Sequence, residues 1–508
     1  TLGSTVDGAR NLTITSGTGS VTVTGSIGAS TAITNLNINP SSGTGSIEVA
    51  NIGASGTAGA TGATVIGNTQ TTSLTLDGTD YKTTGAQTYS ATSGNTILIG
   101  VDDTAIDFIT TDTNIIFAGG DLVIKDSADT TIATQAVGAT ATGGNISFGG
   151  DIHGTGGDTT TDLTINAGTG TVSLQTIDGA STDINDIAVT GSTITLNNDV
   201  NTGTSGTLAL TGNVSLGLDI EINTSNGGGG AINITGNVDG GMNLDILSGS
   251  AITTISGTIG VTTPLTTLDI QQSGTGGVTL GNDIGVNGTT GVGTINIGSS
   301  ATTGTIILGG DIYHTATATY SADNFSITNT DPLFKTTNRP VAFNTGPSTG
   351  TVTLADVADL SVQTGSGTIT FGGNIIGTDG GVSTDVTLST TGVVNIKNIG
   401  ANDDINDVTI NGTTINTDGT IKTAVVSASD DTAGNVTLTG AVNLSGNTTI
   451  NTATGGGTVG VVGTIDGGNT LTITSGAGNV DISGIIGGST AVGDIAINAS
   501  AGTGTIDL

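Results

Sequence analysis

Aspartate is the side chain of this sequence that offers the most chemistry. Of the 41 acidic residues only Glu48 and Glu221 are glutamates, which leaves 39 aspartates. The string Asp-Ile-Asn-Asp occurs at 183–186 and again at 404–407. Hard cations such as Ca²⁺ take oxygen ligands from Asp, Asn and backbone carbonyls. The two strings, with Asp403 directly before the second, therefore predict calcium ligands at Asp183, Asp186, Asp403, Asp404 and Asp407.

A structural role for the same aspartates stays open as the alternative. The sequence lacks the Gly-Gly-x-Gly-x-Asp nonapeptide of calcium-binding rolls. An aspartate in a turn commonly accepts hydrogen bonds from nearby backbone amides, which explains its position without a metal.

Enzymatic chemistry has few candidates in this sequence. His153 and His314 are the only histidines, and neither stands in a pattern that supplies a general base together with a nucleophile. The sequence contains no P-loop and no nucleophile elbow. Two carboxylates suffice for glycoside cleavage, so a β-helical polysaccharide depolymerase remains an alternative. We expect a protein that is not an enzyme, and we predict no catalytic and no cofactor-binding residue.

Composition excludes several partners. Seven Lys and Arg against 41 acids give 7 − 41 = −34, a charge that repels nucleic acid and anionic membrane surfaces. No apolar run approaches the roughly 20 residues that span a bilayer, so we expect no membrane insertion. The absence of cysteine excludes disulfides and thiolate metal sites.

Short alternating apolar runs predict the elements that position these residues. Runs such as Leu12-x-Ile14, Leu36-x-Ile38, Leu163-x-Ile165 and Ile187-x-Val189 are bounded by Gly, Asn, Asp, Ser and Thr, and equivalent runs start about 24 residues apart. Strands this short cannot form stable hairpins alone, but stacked coils pair each strand with its equivalents above and below. The sequence therefore predicts an all-β fold, a right-handed parallel β-helix with about 24 residues per coil and an elongated shape.

A second, longer repeat joins the two ends of the sequence. Residues 6–49 align without a gap to residues 465–508, so that position n matches position n + 459, with 23 identities in 44 positions. We expect one continuous β-solenoid over 1–508, built from a unit of about 460 residues whose second copy starts near 465. Neither end has the composition of a solenoid cap, so we also expect the solenoid to continue, through further covalent units or through axial contact between subunits.

Two segments interrupt the regular pattern, and we predict insertions at 77–110 and 315–349. The second contains Pro332, Pro340 and Pro347, and proline cannot donate into a strand ladder. Both contain the string Thr-Tyr-Ser-Ala and several aromatic residues beside basic ones. Exposed contact patches and an aromatic core inside a widened coil are the two interpretations that the sequence leaves open.

The phrases Asp7-Gly-x-x-x-Leu12-Thr-Ile-Thr-Ser-Gly, Gly85-Ala-Gln-Thr-Tyr-Ser90 and Phe148-Gly-Gly-Asp151 recur in related forms along the chain. In this texture the sequence resembles the β-strand-repeat proteins of bacterial surfaces, such as filamentous-haemagglutinin-type adhesins and autotransporter passengers. The resemblance implies a right-handed β-helix, secretion from a bacterium to the cell surface, and a role in adhesion or in a fibrous coat.

We therefore expect a structural subunit of an extracellular fibre or cell-surface coat, which associates with itself axially and laterally. The alternative is an adhesin that binds a cell-surface glycan or protein ligand through residues 77–110 and 315–349. In the fibre or coat, calcium would screen or bridge the negative charges of neighbouring molecules.

Overall fold

The structure is a computed structural model of the chain. It describes residues 1–39, 41–101, 104–125, 128–135, 142–155, 160–177, 184–288, 291–345, 350–378, 384–400, 405–423, 434–452, 456–498 and 504–508. These residues form two compact units, Thr1–Ala251 and Ile252–Leu508.

Short strands make up both units. The strands of the first unit are β1 Leu12–Ile14, β2 Val21–Val23, β3 Leu36–Ile38, β4 Ile47–Val49, β5 Thr64–Gly67, β6 Leu74–Leu76, β7 Asp80–Lys82, β8 Gln87–Ser90, β9 Thr96–Ile99, β10 Ile106–Ile109, β11 Ile115–Ala118, β12 Asp121–Ile124, β13 Thr130–Ala133, β14 Ile146–Phe148, β15 Ile152–Gly154, β16 Thr161–Asn166, β17 Thr171–Leu174, β18 Ile184–Leu196, β19 Val200–Asn201, β20 Leu208–Leu216, β21 Ile220–Asn223, β22 Ile232–Ile234, β23 Val238–Asp239 and β24 Asn243–Gly249.

The strands of the second unit are β25 Thr253–Ile255, β26 Thr267–Gln272, β27 Val278–Leu280, β28 Val292–Gly298, β29 Thr305–Leu308, β30 Ile312–Ala322, β31 Asn324–Ile327, β32 Leu333–Thr336, β33 Val341–Thr345, β34 Thr351–Leu354, β35 Leu360–Gln363, β36 Ile369–Phe371, β37 Asn374–Gly377, β38 Val386–Ser389, β39 Val393–Ile396, β40 Val408–Lys422, β41 Val436–Asn451, β42 Val459–Val462, β43 Ile465–Asp466, β44 Leu471–Thr474, β45 Val480–Ile482, β46 Ile495–Asn498 and β47 Ile506–Asp507.

Each strand pairs in parallel with its equivalent one coil further along the chain. β1 pairs with β3 so that Leu12 faces Leu36, and β2 pairs with β4 so that Val21 faces Ile47. Because side chains alternate across a strand, Leu36 and Ile38 are fully buried while Asn37 between them is half-buried. The apolar positions therefore stack in columns inside the coils, and the Thr, Asn and Ser positions face outward.

The predicted fold class is confirmed: the described residues form a parallel β-solenoid with strands stacked about 24 residues apart. A single turn of 3₁₀ helix at Asn226–Gly228 is the helical element among these residues. No helix in the described ranges has the length and apolarity that a membrane crossing requires.

The predicted insertions at 77–110 and 315–349 are wrong for the residues that the structure describes. β7 to β10 and β30 to β33 take part in the same parallel ladders as the strands around them. Pro332 and Pro340 each stand directly before a strand, where no amide hydrogen is needed, and their carbonyls still accept hydrogen bonds from Ser361 and Ala318. Pro347 lies outside the described residues.

The long sequence repeat is also a repeat of structure. Leu12 faces Leu36 in β1 and β3, and their counterparts Leu471 (12 + 459) and Ile495 (36 + 459) face each other in β44 and β46. The corners match as well. Asp7 accepts backbone hydrogen bonds from residues 30 and 31, and Asp466 accepts them from residues 489 and 490. These bonds to the charged form lower the pKa of both carboxyl groups.

Candidate functional site

A column of aspartates runs along one corner of the second unit. The amide of Asp385 donates to the Oδ1 atom of Asp359 (3.2 Å), and the amide of Asp407 donates to Oδ1 of Asp385 (2.9 Å). Asn435 continues the column, because its amide donates to Oδ1 of Asp407 (2.7 Å). Each carboxylate therefore accepts a hydrogen bond from the corner one coil further on, rather than from its own turn.

The first unit has an equivalent aspartate column. The amide of Asp162 donates to Oδ1 of Asp129 (3.1 Å), and the amide of Asp186 donates to Oδ1 of Asp162 (3.1 Å). The amide and hydroxyl of Thr207 then both donate to Oδ1 of Asp186 (2.7 and 2.8 Å). In both columns the repeated coil brings like charges to successive corners.

Partial burial raises the pKa of two of these carboxyl groups. They are Asp162, in the middle of the first unit's column, and Asp359, at the start of the second unit's column. For Asp162, desolvation is the main cause, and the charges of Asp186 and Asp129 act in the same direction. Desolvation likewise raises the pKa of Asp359, with the charges of Asp385 and Asp331 adding to it. Hydrogen bonds from the next coil oppose these effects without cancelling them.

Two of the residues predicted as calcium ligands belong to these columns. Asp186 and Asp407 occupy equivalent places, and hydrogen bonds from the neighbouring coil account for both positions. Asp183, Asp403 and Asp404 lie outside the described residues. Within the described part of the chain, no three His, Asp or Glu side chains converge in a way that could hold a metal ion. Calcium binding at these positions stays a prediction.

A cluster of aromatic side chains fills the coils around β7, β8, β10, β11 and β14. Tyr81 stacks on Phe108 with ring centroids 4.7 Å apart, and Tyr89 stacks on Phe117 at 5.3 Å. Phe148 extends the second stack, with its ring 5.3 Å from that of Phe117. All five rings are buried, so the aromatic residues of this segment form core, as the second interpretation of the sequence holds.

The second unit repeats this aromatic cluster. Tyr313 stacks on Phe334 at 4.4 Å, Tyr320 on Phe343 at 4.9 Å, and Phe343 on Phe371 at 4.8 Å. The hydroxyls of Tyr81 and Tyr313 (81 + 232) accept hydrogen bonds from the amides of Gly78 and Gly310 (78 + 232), both at 2.8 Å. The two units thus contain matching regions, in which these two tyrosines and two glycines are 232 residues apart.

Each matching region carries an open cavity at the corner beside its first aromatic strand. The cavity of the first unit has a volume of about 370 Å³ and is lined by Gly56, Lys82, Thr83 and Thr111 among others. That of the second unit has a volume of about 500 Å³. Its lining includes the counterparts of these four residues, which are Gly288 (56 + 232), His314 (82 + 232), Thr315 (83 + 232) and Thr337 (111 + 226).

Sequence reasoning did not find this pair of cavities. The Thr-Tyr-Ser-Ala strings at 88–91 and 319–322 were the available signal, since they mark the same strand in the two regions. The glycines of the corner loops gave no comparable signal in the sequence. Gly53 and Gly285 both have positive φ, and a Cβ at Gly291 would lie 2.0 Å from the carbonyl oxygen of His314. Glycine therefore lets the corner loop lie directly against the strand.

Comparison with known proteins returns nothing for this chain: no family model matches it, and neither a curated protein nor a solved structure does.

Proposed function

We propose that the protein is a structural subunit of a bacterial extracellular fibre or cell-surface coat, and that its copies assemble end to end. The observation that carries this proposal is the long repeat, in which β46 and β47 are the equivalents of β3 and β4. Ile495, Ile506 and Leu508 are the apolar residues at these equivalent positions.

The same positions are buried where the repeat occurs first. The counterparts of those three residues are Leu36 (495 − 459), Ile47 (506 − 459) and Val49 (508 − 459), and they are 0 %, 1 % and 0 % exposed. They are covered because β3 and β4 pair with β5 and β6 of the next coil. The residues of β46 and β47 thus have the chemistry of covered positions.

A further coil on β46 and β47 would cover them as β5 and β6 cover β3 and β4. It would pair their amides and carbonyls, and the burial of apolar area would contribute roughly 25 cal/mol per Å². The partner that we propose for axial association is a second copy of the chain, whose β1 alternates Leu12, Thr13 and Ile14 in the same manner as Ile495, Ala496 and Ile497. Stacking β1 on β46 would continue both apolar columns.

Lateral contact between molecules is the second part of the proposal. Coils with a net charge of −34 repel one another, so side-by-side packing requires a counter-ion. The aspartate columns place carboxylates at the strand spacing of about 4.8 Å, where a divalent cation could bridge neighbouring molecules. The bacterial cell surface, which the sequence resemblance implies, is the location that this proposal adopts.

Sedimentation velocity and negative-stain microscopy of the purified chain test the axial assembly. We expect linear oligomers whose length grows with protein concentration, and loss of these oligomers in the double variant Ile495→Lys, Ile506→Lys. The matched control is Leu218→Lys, because Leu218 is 55 % exposed but belongs to none of the strands β1, β46 and β47. Circular dichroism verifies that each variant is folded.

Two results would contradict the proposal. The first is a monomer at every concentration, and the second is an oligomer that the double variant leaves unchanged. Millimolar calcium added to the same samples is expected to thicken the filaments by lateral packing, and EDTA is expected to reverse this thickening. Filaments that respond to neither calcium nor EDTA would show that lateral packing does not need the cation.

A further inference from the structure

The cavity of the second unit is the place in the described structure where basic residues gather. His314 and Arg339 line it, and Lys335 borders it because its Nζ atom donates to Oδ1 of Asn287 in the corner loop (3.1 Å). The whole chain contains seven Lys and Arg and two His. Three of these nine residues therefore lie around one cavity of a strongly acidic protein.

In the matching cavity of the first unit, the charge of the basic residue is neutralised by two carboxylates. Lys82 lines it, and its Nζ atom lies 2.6 Å from a carboxylate oxygen of Asp80 and 2.9 Å from one of Asp107. In the second unit these two acidic positions are Ile312 (80 + 232) and Leu333 (107 + 226). Both carboxylates that pair with Lys82 thus have apolar residues in their place in the second unit.

Nothing in the described residues takes the place of those carboxylates. No ion pair and no side-chain hydrogen bond of Arg339 occurs there, and Arg339 is exposed. The guanidinium therefore remains available at the rim of the cavity.

His314 supplies a second polar group with a free ring nitrogen. The residue is 6 % exposed, and its Nδ1–H donates to the carbonyl oxygen of Val286 (2.7 Å). This bond fixes the ring and leaves Nε2 without a partner in the described part of the chain. Because His314 lines the cavity, Nε2 remains available to a polar group of a ligand.

We propose that this cavity binds the carboxylate group of a small acidic molecule of about monosaccharide size, such as a uronic acid. The planar guanidinium of Arg339 matches a carboxylate in a bidentate arrangement. His314 and the hydroxyl-bearing Thr337 remain for the other polar groups of the ligand. A volume of about 500 Å³ lies in the range of small-molecule sites. The site goes beyond the structural role proposed above, because it would give the subunit a ligand to recognise.

Calorimetric titration of the intact chain with glucuronate tests this proposal, with glucose as the neutral probe and inorganic phosphate as the tetrahedral anion. We expect saturable binding of glucuronate, weaker binding of both other probes, and a loss of about tenfold or more in affinity in Arg339→Gln. Lys397→Gln is the matched control, since Lys397 is an exposed basic residue of the same unit outside the cavity.

The titration is repeated in the Ile495→Lys, Ile506→Lys variant, so that failure of end-to-end assembly and failure of this site are distinguished. Equal binding of glucose, tighter binding of phosphate, or an affinity that Arg339→Gln leaves unchanged would each overturn the assignment. Absence of glucuronate binding together with weaker self-association of Arg339→Gln would also overturn it, and would assign the basic residues to the acidic surface of a second copy.

Discussion

The two aromatic regions share their ring geometry but differ in the polar groups around it. In the first unit, Nε2 of Gln87 donates to the carbonyl of Tyr81 (2.7 Å) and to Oγ1 of Thr83 (3.1 Å). Its Oε1 accepts a hydrogen bond from the hydroxyl of Tyr89 (3.1 Å). The equivalent residue of the second unit is Ala318 (87 + 231).

The loss of this amide has visible consequences in the second unit. The hydroxyls of Thr315 and Tyr320, the equivalents of Thr83 and Tyr89, are buried without a hydrogen-bond partner in the described residues. The stacks nevertheless keep their spacing, at 4.4 to 4.9 Å. This difference indicates that apolar burial and ring stacking at the strand spacing maintain the region, while the polar network is an addition that one unit has and the other lacks.

The largest expected effect comes from removing the central ring of each cluster. Phe343 lies against Tyr320, Phe325, Phe334 and Phe371, and Phe117 against Tyr89, Phe108 and Phe148. We expect Phe343→Ala and Phe117→Ala to lower the free energy of unfolding by about 3–5 kcal/mol, with the larger loss for Phe343. Denaturant unfolding followed by circular dichroism measures it, with the exposed Val462→Ala as control. A larger loss of unfolding free energy in Phe117→Ala than in Phe343→Ala would contradict this expectation.

An intermediate effect is expected from exchanging the polar groups. Gln87→Ala leaves the hydroxyl of Tyr89 buried without its acceptor, and each such group costs about 1–3 kcal/mol. In the ladder Gln87 faces Thr64, whereas Ala318 faces the larger Ile295. The double variant Ile295→Thr, Ala318→Gln is therefore expected to gain stability over the single Ala318→Gln, which lacks the space.

Thermal unfolding of these variants gives the answer. A Gln87→Ala protein as stable as the parent would show that the polar network around Gln87 contributes nothing to the stability of the first unit. A single Ala318→Gln variant more stable than the double variant would show that Ile295 leaves room for the amide.

The smallest expected effect concerns the aspartates at the corners. Because the pKa of Asp162 is raised in the folded protein, the folded state binds this proton more tightly, and its stability falls as pH rises from the ordinary aspartate value through the raised one. Asp162→Asn removes that loss and keeps an oxygen for the amide of Asp186. We expect a slightly higher Tm at pH 7 and no gain below about pH 3.

For Asp466 the dependence of stability on pH has the opposite sign. Its pKa is lowered by hydrogen bonds from Ser489 and Thr490, so its contribution is present above the ordinary aspartate value and is lost as pH falls through the lowered one. Asp466→Asn is expected to lower the Tm slightly at pH 7. Equal signs for Asp162→Asn and Asp466→Asn in a pH series of melting curves would contradict this account of the corners.

The coil spacing and the parallel ladders could be predicted from the sequence because alternation at Leu12-x-Ile14 and Leu36-x-Ile38 has one physical explanation in strands this short. The aspartate columns could not. Ile187 pairs with Leu208 (208 − 187 = 21), but Thr130 pairs with Leu163 (163 − 130 = 33), so a fixed period does not identify which aspartates stack. The prolines led to the wrong prediction of an insertion at 315–349, because a proline before a strand and a proline in a loop have the same local sequence.

Oxidative cross-linking between copies tests the central claim, end-to-end continuation of the strand ladder, most directly. The chain has no cysteine, so Thr13→Cys, Ala496→Cys introduces the only thiols, at outward positions of β1 and β46. Adjacent parallel strands place such residues about 4.8 Å apart, within disulfide reach. The account predicts a ladder of covalent oligomers on non-reducing gels, which Ile495→Lys, Ile506→Lys abolishes; a protein that stays monomeric after oxidation, with both thiols free, would contradict it.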